Sequence, residues 1–272
     1  MTKSISVSLA AITLFSLIAI SPHIQASPSK RPAKTFVIVH GAWQAPYAWQ
    51  TVKKELEMKG EKVIVVELPG HGSDTTPPQN LSIDVYRDKV VEAINSTQDK
   101  VILVGHSLAG VIISSVAEQI PDRIEKLVYI GAFLPANGQS LLDLALTDGN
   151  SLLGKSLIPS EDKLTLGVKS DNIIPIFCQD SPENIKKEVV DNYKPEPAIP
   201  FTNKVTLSDA KYGSVPKVYV HTTMDQAVSL DLQNRMVSAA GIKDVYSLNS
   251  SHTPFLSMPE KVTALLLKIA KS

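Results

Sequence analysis

The sequence predicts an α/β protein, a mostly parallel sheet with helices on both faces and an inserted helical cap. Three observations predict it. Short β-branched runs alternate with amphipathic stretches from residue 35 onward, the pattern of βαβ units. The runs are nearly continuous in apolar residues, as strands covered on both faces are. The alternation stops over residues 134–215 and resumes after Pro216. With 272 residues, 43% of them hydrophobic and 20% charged, the chain has enough length and apolar content for one large domain with a substantial core.

The N-terminus has a different character. Lys3 precedes an uncharged stretch over residues 4–21, apolar from about residue 7 to residue 20 and too short for a membrane span of about 20 residues. Ile24-Gln25-Ala26 then offers a small-residue cleavage site, so residues 1–26 are expected to be a signal peptide. Residues 27–272 would be one exported domain, periplasmic or extracellular, with no stable membrane anchor after cleavage. Three Asn-X-Ser/Thr sites occur, at Asn80, Asn95 and Asn249. A glycan on Asn249 would crowd His252, which favours a bacterial source.

The predicted strands are 35–40 (TFVIVH), 63–68 (VIVVEL), 101–105 (VILVG), 127–132 (LVYIGA), 217–222 (KVYVHT) and 244–248 (DVYSL). Residues 47–59, 83–95, 107–119, 229–239 and 259–270 carry apolar side chains at three-and-four spacing and are predicted helices. Proline opens the last of these, at a favoured first-turn position. Residues 134–215 show no clear strand and only short helical patches such as 182–192. Some 80 residues of plain loop are implausible, so an inserted helical cap over the sheet edge is expected.

Charge narrows the function classes. The 27 basic and 27 acidic residues balance, which gives no support to nucleic acid or an anionic membrane surface as partner. The single Cys178 has no internal disulfide partner and reads as a buried small hydrophobe. No HExxH, CxxC or P-loop occurs, so no metal and no cofactor is predicted.

Gly105-His106-Ser107-Leu108-Ala109-Gly110 lies where the third strand meets the third helix, the required setting for a nucleophile elbow. The turn is tight, so the positions two before and two after the serine must be small; they are Gly105 and Ala109. Ala109 departs from GxSxG, a methyl group made tolerable by Gly110. A bare GxSxG turns up by chance in about one chain in ten of this length, so context must carry the assignment. A serine nucleophile needs a base held by an acid, and in this architecture they follow in the order Ser, Asp, His after later strands. Asp225 comes three residues after the KVYVHT strand and His252 four after DVYSL. All three therefore emerge at the carboxyl edge of one sheet, where open α/β sheets place ligands. Acyl transfer also needs donors for the developing oxyanion, each worth about 3 to 4 kcal/mol. The backbone N–H of Leu108 at a helix start is one; the other is assigned to Ala42 in the His40-Gly41-Ala42-Trp43 loop. His40, His71, His106 and His221 lie at strand ends or in turns and are not assigned as the base.

These residues resemble a group of small α/β hydrolases that includes plant methylesterases, hydroxynitrile lyases and bacterial pyrethroid hydrolases. The resemblance spans roughly residues 35–270 and is carried by VHGAW at 39–43, VILVGHSLAG at 101–110, YGSVPKVYV at 212–220, Asp225 and SSHTPFLSMPE at 250–260. It implies the α/β-hydrolase fold and oxyanion amides at Ala42 and Leu108. The lyases of the group share a threonine in the first loop, a glutamate before the nucleophile and a lysine after the histidine. This chain has Gly41, His106 and Thr253 there, which favours hydrolysis.

The expectation is cleavage of a small-molecule carboxylic ester, a hydrophobic ester or lactone, through an acyl-enzyme on Ser107. Gly41, Trp43, Phe133 and Leu134, with the cap, would form the substrate pocket. The alternatives are a receptor-like binding protein with little turnover, a lyase, or a perhydrolase using peroxide in place of water.

Overall fold

The computed structural model describes residues 1–5 and 32–272. The apolar segment of the expected signal peptide and its cleavage site lie outside the described residues. Among the described residues no helix is long and apolar enough to cross a membrane.

Within the compact unit Ala33–Ser272, β1 (Thr35–Val39), α1 (Gln50–Met58), β2 (Lys62–Val66), α2 (Ile83–Asn95), β3 (Val101–His106), α3 (Ala109–Gln119) and β4 (Ile124–Ile130) alternate in chain order. An insertion follows. It holds α4 (Leu141–Ala145), α5 (Leu153–Ser156), β5 (Leu157–Pro159), β6 (Thr165–Val168), α6 (Ser170–Phe177), α7 (Glu183–Asp191), β7 (Glu196–Pro197) and α8 (Ile199–Thr202). The alternation then resumes through β8 (Lys217–Thr222), α9 (Leu230–Ala239), β9 (Asp244–Leu248), α10 (Pro254–Ser257) and α11 (Pro259–Ile269).

Six strands form one parallel sheet in the order β2-β1-β3-β4-β8-β9. Successive residues of a strand face opposite sides, and the core divides accordingly. Phe36, Ile38, Ile102 and Val104 pack with Val52, Leu56, Val262 and Leu266 of α1 and α11. Val37, Val39, Val101 and Leu103 pack on the other face with Val90 and Ile112 of α2 and α3. The edge strands differ from expectation, because β9 alternates partly exposed residues and leaves Val245 43% exposed. An edge strand has a neighbour on one side only, so it lacks full cover.

The direction in which strands are added to the sheet reverses at β1. The chain steps from β1 outward to β2, then crosses back to β3 on the other side of β1. The loops leaving β1 and β3 therefore diverge at a topological switch point and open a crevice at the carboxyl ends. These are the Ala42 and Ser107 loops.

The insertion corrects the sequence reading. Besides the helix predicted over 182–192, seen as α7, it contains a small antiparallel sheet in the order β5-β6-β7. Its strands have three, four and two residues, too few for period-2 alternation to register in the sequence.

Candidate active site

Ser107 stands between β3 and α3 with φ 55°, a left-handed conformation that costs a non-glycine residue about 1–3 kcal/mol and persists only where its surroundings enforce it. The enforcing contacts are visible at the glycines. A Cβ on Gly105 would lie 2.9 Å from the Ala109 carbonyl oxygen, and one on Gly110 would lie 2.0 Å from the Phe133 carbonyl oxygen. The chain crosses closely at 105 and 110, whereas the Ala109 methyl is fully buried and accommodated. The departure from GxSxG therefore falls where a methyl group fits. The Phe133 N–H closes the turn by donating to the Ser107 carbonyl at 3.1 Å.

Asp225 sits in the turn after β8. Its Oδ1 accepts from the N–H groups of Ala227 (2.8 Å) and Val228 (2.9 Å), and its Oδ2 from the Thr222 hydroxyl (2.7 Å). His252, in the turn after β9, places Nδ1 2.8 Å from the same Oδ2. Both side chains are buried. The carboxylate thus has fixed donors on both oxygens, and the hydrogen bond to it requires Nδ1–H on His252, leaving Nε2 without a proton in the neutral ring. The Ser107 hydroxyl makes no hydrogen bond among the described residues; such bonds are often long in ligand-free sites and tighten with substrate.

The other histidines act as struts. His106, fully buried, has Nε2 2.8 Å from the His252 carbonyl. Burial first, then neighbouring His252, hold its pKa well below 6.5. His40 has Nδ1 2.9 Å from the Gly41 carbonyl and accepts from the Leu68 N–H at Nε2, 3.3 Å away; burial and the nearby His71 lower it to about 3. Gly41 is required here, since a Cβ would come within 2.7 Å of His106 Nδ1 and 2.8 Å of Ser107 Cβ. The backbone N–H groups of Ala42 and Leu108 make no hydrogen bond to another group among the described residues.

A cavity of about 270 Å³ opens on these groups. It is lined by Ala42, Trp43, Ser107, Leu108 and Phe133 from the core, and by Leu141, Leu153, Leu166 and Phe201 from the insertion. Its polar groups Asp148 and Ser151 are already engaged, Asp148 by Ser229 and Ser151 with the Ala227 carbonyl. Two expected pocket residues are not part of it. Gly41 lies behind Ser107, and Leu134 lines a separate cavity with Met236 of α9. Phe133 and Leu134 therefore do not share a pocket.

The matching family model, described as the alpha/beta hydrolase family, covers residues 36–265. The chain belongs to the alpha/beta hydrolase family. Among its relatives, methylesterase 17 of Arabidopsis thaliana is 28% identical over 92% of this chain and 95% of its own length. A chloroplastic relative from the same plant, named a methylesterase by likeness, is 31% identical over 88% of this chain, which spans 56% of its length. An extracellular alpha/beta hydrolase from a Paenibacillus species superposes with TM-score 0.75 and 26% identity, covering 86% of this chain and 98% of that one. A pyrethroid hydrolase from Sphingobium faniae superposes with TM-score 0.77 at 22% identity, over 89% and 98% of the two chains, a likeness of fold. The alpha/beta hydrolase family model thus spans residues 36–265.

Sequence reasoning missed one functional neighbour. Glu196 of β7, 1% exposed, accepts from the Trp43 N–H at 2.7 Å and faces His71 Nε2 at 2.9 Å. No local pattern marks a carboxylate 153 positions from its partner. Burial disfavours charge on His71, yet Glu196 outweighs it and raises the His71 pKa above 6.5. Cys178 is free and buried, and burial pushes its thiol up to about 11, in keeping with an inert side chain.

Proposed function

We propose that this chain is a serine hydrolase that cleaves a carboxylic ester through an acyl-enzyme on Ser107. The observation that carries the reading is the buried 2.8 Å Asp225–His252 contact, which fixes the imidazole tautomer; with it stands a strained serine that lines an apolar cavity. Ser107 Oγ attacks the ester carbonyl carbon while His252 Nε2 takes its proton. The tetrahedral oxyanion rests on the N–H groups of Ala42 and Leu108. It collapses as His252 returns the proton to the departing alcohol. Water, deprotonated by the same nitrogen, then attacks the acyl-enzyme and releases the acid. Asp225 holds the ring and favours the imidazolium without taking its proton.

The apolar lining, with its few polar groups already satisfied, favours a hydrophobic ester or lactone. Plant relatives named methylesterases and a neighbour named a pyrethroid hydrolase support the same reaction class. A panel of aryl esters of graded acyl length, run beside methyl esters, bulky synthetic esters and macrocyclic lactones, tests it. Hydrolysis that disappears in Ser107→Ala is expected, and turnover retained in that variant would refute the assignment. A second reading, a binding protein with little turnover, draws on the open Ser107–His252 contact; tight ligand binding without hydrolysis of any ester would favour it. We also propose that the chain is exported after removal of residues 1–26, a reading supported by the extracellular Paenibacillus neighbour. A mature N-terminus near Ser27 outside the cytoplasm tests it.

A further inference from the structure

We propose that Glu196 is a positioning residue for the oxyanion loop, the point through which the insertion sets the Ala42 N–H. This rests on reading Ala42 as an oxyanion donor. The loop that carries Ala42 is short and is gripped on both sides. His40 Nδ1 holds the Gly41 carbonyl at 2.9 Å. Beyond Ala42, the insertion supplies both remaining grips. Glu196 accepts from the Trp43 N–H at 2.7 Å, and the Leu166 carbonyl accepts from Trp43 Nε1 at 2.8 Å. Leu166 and Glu196 are paired residues of β6 and β7, so both grips come from one rung of the small sheet. Trp43 itself has φ 56°, a left-handed backbone that the carboxylate helps to hold. By engaging the Trp43 N–H, Glu196 also turns that donor away from the cavity and leaves the neighbouring N–H of Ala42 unpaired.

The carboxylate has a partner that fits the role. His71 Nδ1 faces the Pro69 carbonyl at 3.1 Å and Nε2 faces Glu196 at 2.9 Å. Both ring nitrogens meet acceptors, so each must carry a proton, and the imidazolium neutralises a carboxylate that burial alone would make costly. The pair joins three pieces of chain: the loop after β1, the loop after β2 and β7 of the insertion. A purely structural ion pair has no need of a backbone amide beside the oxyanion site.

The geometry separates two substitutions. In Glu196→Gln the amide oxygen accepts from the Trp43 N–H while the amide nitrogen donates to a neutral His71, so the loop stays held. In Glu196→Ala nothing accepts from Trp43. A misplacement of about 1 Å in a reacting geometry costs on the order of 10²-fold, and an oxyanion donor acts on charge that appears only in the transition state. Glu196→Ala is therefore expected to lower kcat by about 10- to 100-fold with KM within about threefold, and Glu196→Gln to keep kcat within about threefold of the parent. If Glu196→Ala does not fold, Glu196→Met, close in volume and without an oxygen acceptor, replaces it.

Amide hydrogen exchange supplies a readout independent of turnover. The Trp43 amide should exchange at least about tenfold faster in the Ala or Met variant than in the parent or the Gln variant. Unchanged Trp43 exchange in a folded Ala or Met variant overturns the proposal. So does an unchanged kcat, a rise in KM alone, or a Gln variant as impaired as Ala. Absence of ester turnover in the parent would sink the hydrolase reading, and the exchange comparison would still decide whether Glu196 holds the loop.

Discussion

Replacing Asp225 by Asn probes the site with the fewest free choices. Oδ1 accepts two backbone N–H bonds, from Ala227 and Val228, and Oδ2 accepts from Thr222 and His252. An amide group must turn its NH₂ toward one pair. Facing Ala227 and Val228, it would oppose two buried donors, each left unsatisfied at about 1–3 kcal/mol. It therefore turns toward His252, and the imidazole must present a bare Nδ1 and carry its proton on Nε2. A ring in that tautomer has no lone pair for the Ser107 proton. A base in the wrong tautomer loses on the order of 10⁴ in kcat, about 5 kcal/mol of barrier. The backbone bonds at Oδ1 survive, so the midpoint of thermal unfolding should shift by only a few degrees. Initial rates on an aryl ester at pH 7, beside a melting curve, make the comparison. A folded Asn variant with kcat within tenfold of the parent would show that Asp225 does not set the His252 tautomer.

Other expectations concern the elbow, the buried histidines and the thiol. Gly110→Ala drives a Cβ to 2.0 Å from the Phe133 oxygen and should cost about 3 kcal/mol or more; Ala109→Gly loses one buried methyl and some helix propensity, about 1–2 kcal/mol, and urea midpoints should rank them so. His40, lowered by burial and His71 from 6.5 to about 3, contributes stability that is complete above 6.5 and lost as pH falls toward 3. Between pH 6.5 and 4.5 that loss is roughly 2 kcal/mol; a denaturation midpoint equal at the two pH values would contradict it. His71 has the opposite sign: its pKa is raised by Glu196, so its contribution is complete below 6.5 and lost as pH rises through the folded value, a slope that should flatten in Glu196→Gln. Cys178, buried and with its pKa raised to about 11, should react with a thiol reagent only on unfolding; rapid native labelling would contradict the packing.

The parallel sheet is legible because buried strands concentrate β-branched residues and all of them except β4 lead directly to an amphipathic helix. Chain order puts Ser107, Asp225 and His252 after strands of that sheet, and His252 Nδ1 lies 2.8 Å from Asp225 Oδ2. Several boundaries differ by one to three residues, and at one the cause is strain: α3 begins at Ala109 rather than 107 because Ser107 itself has a left-handed backbone. The insertion was less readable. Its strands are two to four residues long and two of them contain proline, so neither periodicity nor propensity marks them. Leu134 follows Phe133 in the chain but lines a separate cavity with Met236 of α9, and adjacency in sequence does not reveal that. Glu196 left no trace in the sequence, because its function lies in a tertiary contact with a backbone amide.

If Ser107 is an activated nucleophile, an organophosphonate will modify it in the folded protein, and the intact mass reads this. One added phosphonyl group is expected, mapped to the peptide that carries Ser107 and absent in Ser107→Ala. An unlabelled parent, or label persisting in Ser107→Ala, would contradict it.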